Sequence, residues 1–301
     1  MAQAGRVNSP PAPATVVTPA VLRDWPLPVP GPGGTKESRG SVLVVGGAVA
    51  TVGAVLLAGV AALRAGAGKL AVATAGPVAT ALAVALPEAS VQGLPVTPGG
   101  TLSRAAAAPV LAAAEGAAAI LVGPGLADPD ETLALVGAVL EGLSTDTVVV
   151  LDALGCSCGA ATRGALARFA GRVILTPNPA EMAYLLDDVD ADAPVGETCL
   201  RAAEQTGAVI AYRGAVAAPG GDLWFDQTGH AGLGTSGSGD VLAGVATGLA
   251  ARGATAEQAA VYGVSVHGAA GDRLAARVGR LGFLARELLD EVPRVLTELQ
   301  A

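Results

Sequence analysis

VLVVGGAVATVGAVLLAGVAAL, residues 42–63, runs without a charged side chain. A helix that crosses a bilayer needs about 20 consecutive apolar residues, so the stretch is long enough to raise that possibility. Gly46-Gly47 and Gly53 interrupt it, however, and Val42–Val45 is rich in β-branched residues. A strand over 42–45, a glycine loop and a helix over Ala54–Ala65 account for the pattern better than a span. A strand that feeds a helix through a short loop is the repeating unit of a parallel sheet.

The same alternation continues outward from this segment. Leu70–Thr74, Ile120–Val122, Thr147–Leu151, Val173–Leu175 and Val209–Tyr212 read as strands. Between and after them, helices are predicted over Val78–Ala85, Thr132–Leu143, Glu181–Leu186, Val241–Ala251, Ala256–Arg277 and Leu284–Leu299. The expected fold is therefore α/β, with a mostly parallel sheet between helical layers. No linker follows Gly40, so residues 21–301 are expected to form one domain behind a flexible Pro- and Ala-rich arm over 1–20. That arm lacks the basic start and apolar block of a secretory signal.

Composition narrows the functional classes. Hydrophobic residues make up 51 % of the 301 and aromatics 3 %, which suits close helix-on-sheet packing by Ala, Val and Leu. A net charge of −8 argues against nucleic acid or an anionic membrane as partner. Any phosphate must be held by local backbone groups. Cys156, Cys158 and Cys199 show no paired C-x-x-C spacing and read as reduced thiols of a cytoplasmic protein. His230 and His267 are too few for a His-based zinc site, and His267, in a long helix, is expected to be packed and hydrogen-bonded. The acidic run Asp187–Asp192 reads as a solvated loop.

Nearly every glycine or polar cluster follows a predicted strand, where open α/β sheets bind ligands. The most informative is Gly234-Thr235-Ser236-Gly237-Ser238-Gly239-Asp240, which runs into the helix at Val241. Free N–H groups and the dipole at that helix start favour an anion such as phosphate. Asp240 lies beside that positive end, which favours its ionised form and suits it to accept a proton. A base beside a phosphate cradle points to phosphoryl transfer to a hydroxyl. Asp152 ends a strand and either reaches a ligand or hydrated magnesium, or caps the next helix. Arg213-Gly214 can set a guanidinium near nucleotide phosphates.

In order along the chain, VLVVGG, GAVLLAGVAALRAGAGKLAVAT, LPE at 86–88, LVGPGL, VVLDA, ILTPNPAEMAYLL, YRG, GTSGSGDVLAG and VHGAAGD resemble the ribokinase-like superfamily. More closely they resemble its NAD(P)H-hydrate dehydratase family, over about Leu22 to Leu299. The resemblance implies a three-layer αβα sandwich. It implies repair of hydrated NADH or NADPH, with ADP or ATP phosphorylating the ring hydroxyl, phosphate then leaving, and Mg2+ accompanying the nucleotide. It further implies Asp240 as catalytic base, and Ala54, Gly125 and Asn178 at the hydrated nicotinamide. Arg213, Gly214, Ala215, Val216, Ala217, Gly237 and Gly239 fall to the nucleotide, and a homo-oligomer is expected. Three departures stand out: Asn178 where the family has His, Leu154 and Ser157 where it has Asp and Asn, and Arg213 where it has Lys. The rival readings are a kinase of a small alcohol, such as a hydroxyethylthiazole or a sugar, and a nucleotide-binding protein with little turnover.

Overall fold

Residues 42–63 fold as strand, glycine loop and helix, and the rest of the chain repeats the unit. The computed structural model describes residues 14–29, 31, 34–186, 188 and 193–300. Its strands are β1 (Thr15–Val17), β2 (Ser41–Val45), β3 (Lys69–Ala75), β4 (Ala89–Leu94), β5 (Ala119–Val122), β6 (Val148–Leu151), β7 (Val173–Leu175), β8 (Val209–Tyr212), β9 (Ala215–Ala217) and β10 (Leu223–Asp226). The helices are α1 (Pro19–Asp24), α2 (Gly53–Arg64), α3 (Gly76–Ala85), α4 (Ala107–Ala113), α5 (Pro129–Gly142), α6 (Ala153–Ser157), α7 (Arg163–Leu166), α8 (Pro179–Leu185), α9 (Val195–Thr206), α10 (Ser238–Ala251), α11 (Ala256–Arg277) and α12 (Ala285–Leu299).

The strands form a single sheet of ten in the order β1-β10-β9-β8-β7-β6-β5-β2-β3-β4. All neighbours are parallel except at β9, which runs against both β8 and β10. Side chains of a strand alternate between faces. Val42 and Val44 of β2 accordingly enter the core beneath α2, α10, α11 and α12, while Leu43 and Val45 enter the opposite core beneath α4, α5, α8 and α9. Burial on both faces is why these strands read as continuous apolar runs.

From β2 the chain builds outward through β3 and β4, then crosses back to place β5 on the other side of β2. Here the connections diverge, so the carboxyl ends of β2 and β5 form the switch point, the place at which open α/β sheets have their ligand crevice. The loops that follow β2 and β5 are tied together. The Gly47 and Ala48 N–H groups donate to the carbonyls of Pro124 and Gly125, both at 2.8 Å.

On one layer α10 crosses α2 at very short range. A side chain at Gly244 would meet the Ala58 carbonyl oxygen at 2.2 Å, and one at Gly248 would meet that of Ala62 at 2.4 Å. This contact matters to the site because it fixes where the start of α10 lies.

Two expectations change at the amino end. Of the arm expected over 1–20, residues 1–13 lie outside the described residues, as does most of the acidic run at 187–192. The described part of the arm is ordered: β1 pairs in parallel with β10, Thr15 opposite Trp224, and Trp25 stacks on Trp224 with ring centroids 5.9 Å apart. Gln258 Nε2 donates to the carbonyls of Trp25 and Pro26, at 3.0 and 2.9 Å. Arg252 likewise donates to the carbonyl of Pro28 at 3.1 Å. A strap of irregular chain is thereby fastened across the helices. The sequence reading also lacked β4, β9, β10, α4, α6, α7 and α9.

Candidate active site

The glycine loop enters α10 as the sequence predicts. Gly237 caps the helix with φ +88°, a conformation that costs glycine little and other residues much. A side chain there would also strike Leu57 Cδ1 of α2 at 2.6 Å. Gly239 faces open space. Its N–H and that of Asp240 belong to the first turn of α10, where no preceding helical carbonyl can receive them.

Asp240 is half-buried in that first turn. The helix start favours its carboxylate, yet burial outweighs it and pushes the pKa up to about 7, with the carboxyls of Asp152 and Glu181 adding to the rise. The sequence reading weighed only the dipole, which favours the ionised form. A carboxyl near 7 is well matched to taking a proton at neutral pH.

Asp152 is buried at the end of β6 and accepts the Thr176 hydroxyl at 2.7 Å. Its side chain does not cap α6. Burial raises its pKa to about 6. The next residue, Ala153, has φ +51°, an unfavourable value for a residue with a Cβ, and strain of this kind gathers at functional sites.

Asn178 is an exposed helix cap. Its Oδ1 accepts from the Ala180 and Glu181 N–H groups at 2.9 and 3.0 Å, and its Nδ2 donates to Glu181 Oε1. Glu181 Oε2 in turn accepts the Asn178 N–H at 3.0 Å, completing a capping box at the start of α8. Burial lifts Glu181 to about 7. Asp152, Glu181 and Asp240 thus form a group of carboxyls that disfavour one another's charge. Glu181 was missed from sequence as a member of the site, although N-x-x-E before an apolar run is a legible cap signal.

Ala54 and Gly125 meet at the crevice between β2 and β5. A side chain at Gly125 would lie 2.5 Å from the Thr51 carbonyl oxygen and 3.1 Å from Ala54 Cβ. Thr51 Oγ1 donates to the Gly125 carbonyl at 2.6 Å. Arg213 and Gly214 form the tip of the β8–β9 hairpin, with φ +50° and +84°. Such values at both central residues are what a tight hairpin turn requires. Ala215, Val216 and Ala217 are instead buried as β9, between β8 and β10.

A cleft of about 850 Å³ brings several of these residues together: Asn178, Arg213, Gly214 and Gly239 line it, with Ser238 and His267. Ala215–Ala217, Gly237, Asp240, Ala54 and Gly125 are not among its walls. The start of α10 lies between this cleft and the α2 end of the crevice, since Gly237 abuts Leu57, one turn beyond Ala54. Asp240 follows Gly239 in this first turn of α10. His267 is hydrogen-bonded as expected, with Nε2 2.8 Å from Ser238 Oγ, and burial lowers its pKa to about 4.

Among the described residues no three His, Cys, Asp or Glu side chains gather closely enough to hold a metal ion. Mg2+ fits here as the companion of a nucleotide, ligated mainly by phosphate oxygens and water. No helix among the described residues is long and apolar enough to cross a membrane.

Comparison with known proteins agrees with this geometry. The family model described as NAD(P)H-hydrate dehydratase matches residues 42–294. The ADP-dependent (S)-NAD(P)H-hydrate dehydratase of Xanthomonas campestris pv. campestris is 46 % identical over 288 residues, covering 94 % of this chain and 96 % of that protein. Bifunctional NAD(P)H-hydrate repair enzymes also match, and the chain spans about half of their length. The Bacillus subtilis ADP/ATP-dependent NAD(P)H-hydrate dehydratase, co-crystallised with ATP/Mg2+, superposes with a TM-score of 0.77 at 28 % identity, covering 96 % of this chain and 99 % of that one. A ribokinase-like superfamily protein of Enterococcus faecalis, at 20 % identity, gives a TM-score of 0.77 over 96 % of this chain and 97 % of its own. That likeness shows the ribokinase-like fold.

Proposed function

Because this chain belongs to the NAD(P)H-hydrate dehydratase family, we infer that it restores hydrated NADH or NADPH, using an adenine nucleotide as phosphoryl donor. The observation that carries the reading is Asp240, a carboxyl poised near neutrality at the anion-binding start of α10. The hydroxyl on the reduced ring is a poor leaving group, and phosphate is a good one. Asp240 takes the hydroxyl proton as the oxygen attacks the donor's terminal phosphorus, and the bond from that phosphorus to the remaining nucleotide breaks. The Gly239 and Asp240 N–H groups face the charge that gathers on the transferring oxygens. The ring nitrogen's lone pair then expels phosphate, the adjacent ring carbon loses a proton, and the double bond is restored. ADP yields AMP and phosphate in this scheme, and ATP yields ADP and phosphate.

The nucleotide is assigned to the 850 Å³ cleft, with Arg213 and Gly214 at its rim. The hydrated nicotinamide is assigned to the switch point at Ala54 and Gly125, where the resemblance to the family places it. Asn178 borders the nucleotide cleft but spends its side chain on the α8 cap, so its contribution to substrate is limited to the groups the cap leaves free. Mg2+, when bound with the nucleotide, neutralises phosphate charge.

The test incubates purified protein with hydrated NADH, Mg2+, and ADP or ATP in parallel, and follows reduced-nicotinamide absorbance. Recovery that depends on a nucleotide is expected, and the donor that supports it is thereby named. Phosphorylated product accumulating without recovery would make the protein a kinase of an alcohol instead.

A further inference from the structure

Ser238 and His267 stand apart from the residues the reaction above employs, yet both line the nucleotide cleft. Ser238 is the first residue of α10, directly before Gly239 and two residues before Asp240. Its backbone N–H is spent on the Thr235 carbonyl at 3.2 Å, so its hydroxyl is what it can offer a ligand. The residue is 3 % exposed, which confines that hydroxyl. His267 reaches it from α11, a different element, at 2.8 Å. A helix start supplies only backbone N–H groups. Here a side-chain hydroxyl is held beside them by a second side chain.

We propose that Ser238 is a catalytic residue whose hydroxyl donates to the transferring phosphoryl group, and that His267 is the positioning residue that aims it. A serine hydroxyl has one proton. For it to point at the phosphoryl oxygens, the 2.8 Å contact must be made by His267 Nε2–H donating to Ser238 Oγ. The imidazole remains neutral in this arrangement, in keeping with its lowered pKa. No proton changes hands. His267 fixes the rotamer and leaves the hydroxyl proton free for the phosphoryl oxygens, where charge grows in the transition state. His267 has no contact with the phosphoryl group in this scheme, so all of its effect passes through Ser238.

That dependence gives the proposal its test, which rests on the dehydratase reading for one readout and is independent of it for the other. Ser238→Ala, His267→Leu, His267→Gln and the double variant Ser238→Ala/His267→Leu are compared with the parent protein. For recovery of hydrated NADH, Ser238→Ala is expected to lower kcat about 10- to 100-fold with the donor Kd within about 3-fold. His267→Leu should fall in the same direction by less. Gln carries an amide donor at comparable reach, so His267→Gln should recover to within a few-fold of the parent. The double variant should be no slower than Ser238→Ala alone. The second readout is the affinity for ADP with aluminium fluoride, a mimic of the planar phosphoryl group, set against the affinity for ADP alone. Ser238→Ala should weaken the first more than tenfold and leave the second nearly unchanged.

Losses that multiply in the double variant would overturn the proposal. So would a lowered Tm with unaltered kcat and unaltered mimic binding, which is the mark of a purely structural tie between α10 and α11. A parent protein that fails to restore hydrated NADH would overturn the dehydratase reading, and the mimic would still decide the role of the pair.

Discussion

Replacing Asp240 with Asn removes the acidic residue of the first turn of α10 while keeping its size. Turnover is expected to fall by about two orders of magnitude or more, with nucleotide affinity within a few-fold, measured by absorbance recovery and titration calorimetry. The parent's kcat/KM should rise with pH up to about 7, as the carboxyl loses its proton, and then level. The same group costs stability. Its folded pKa lies above its unfolded value near 4, so the folded state is favoured by protonation below that value. The advantage is lost as pH rises through about 7. Asp240→Asn should therefore raise the Tm at pH 8, by a gain of about 1–3 kcal/mol once partial exposure is discounted, and change it little at pH 4. An equal shift at both pH values would remove burial of charge as the cause. Of the candidate site, the glycine loop and the place of Asp240 in the first turn of α10 were legible because glycine and Asp at a helix start have local causes. The elevation of Asp240 was not, since it comes first from burial in the folded chain and then from Asp152 and Glu181, far away in sequence.

Elements differ in how openly they announce themselves. The central strands could be read because burial on both faces makes them continuous apolar runs. β9 and β10 could not, being short and, in β10, only half-buried. α9 was missed although Cys199, Ala202, Ala203 and Thr206 share its buried face. Asn178→Ala removes the cap of α8 and should cost about 1 kcal/mol in thermal unfolding. Gly248→Val forces a side chain into the Ala62 backbone at the α2–α10 crossing. It should destabilise by at least about 1–3 kcal/mol, and it should also slow turnover in the protein that folds, because α10 carries Asp240. Normal kcat in that variant would separate the crossing from the site.

Across the whole molecule, two cores share one sheet, and the candidate site residues collect along its carboxyl edge. The strap at residues 15–28 lies on the far side of the described β10 edge and is held by Trp25 on Trp224 and by Gln258 and Arg252. Trp25→Ala should lower stability by about 1–3 kcal/mol, seen as a lower Tm, with the donor KM unchanged. The sequence reading treated residues 1–20 as loose because they are rich in Pro and Ala. The order of residues 14–20 instead depends on partners near the opposite end of the chain. Synthesis runs from Thr15 toward Trp224, so β1 leaves the ribosome long before the strand it pairs with exists. A strand made early is among the last to dock, and a chain stalled before β10 emerges carries an unpaired β1 and a bare Trp25, a state that chaperones and proteases can recognise.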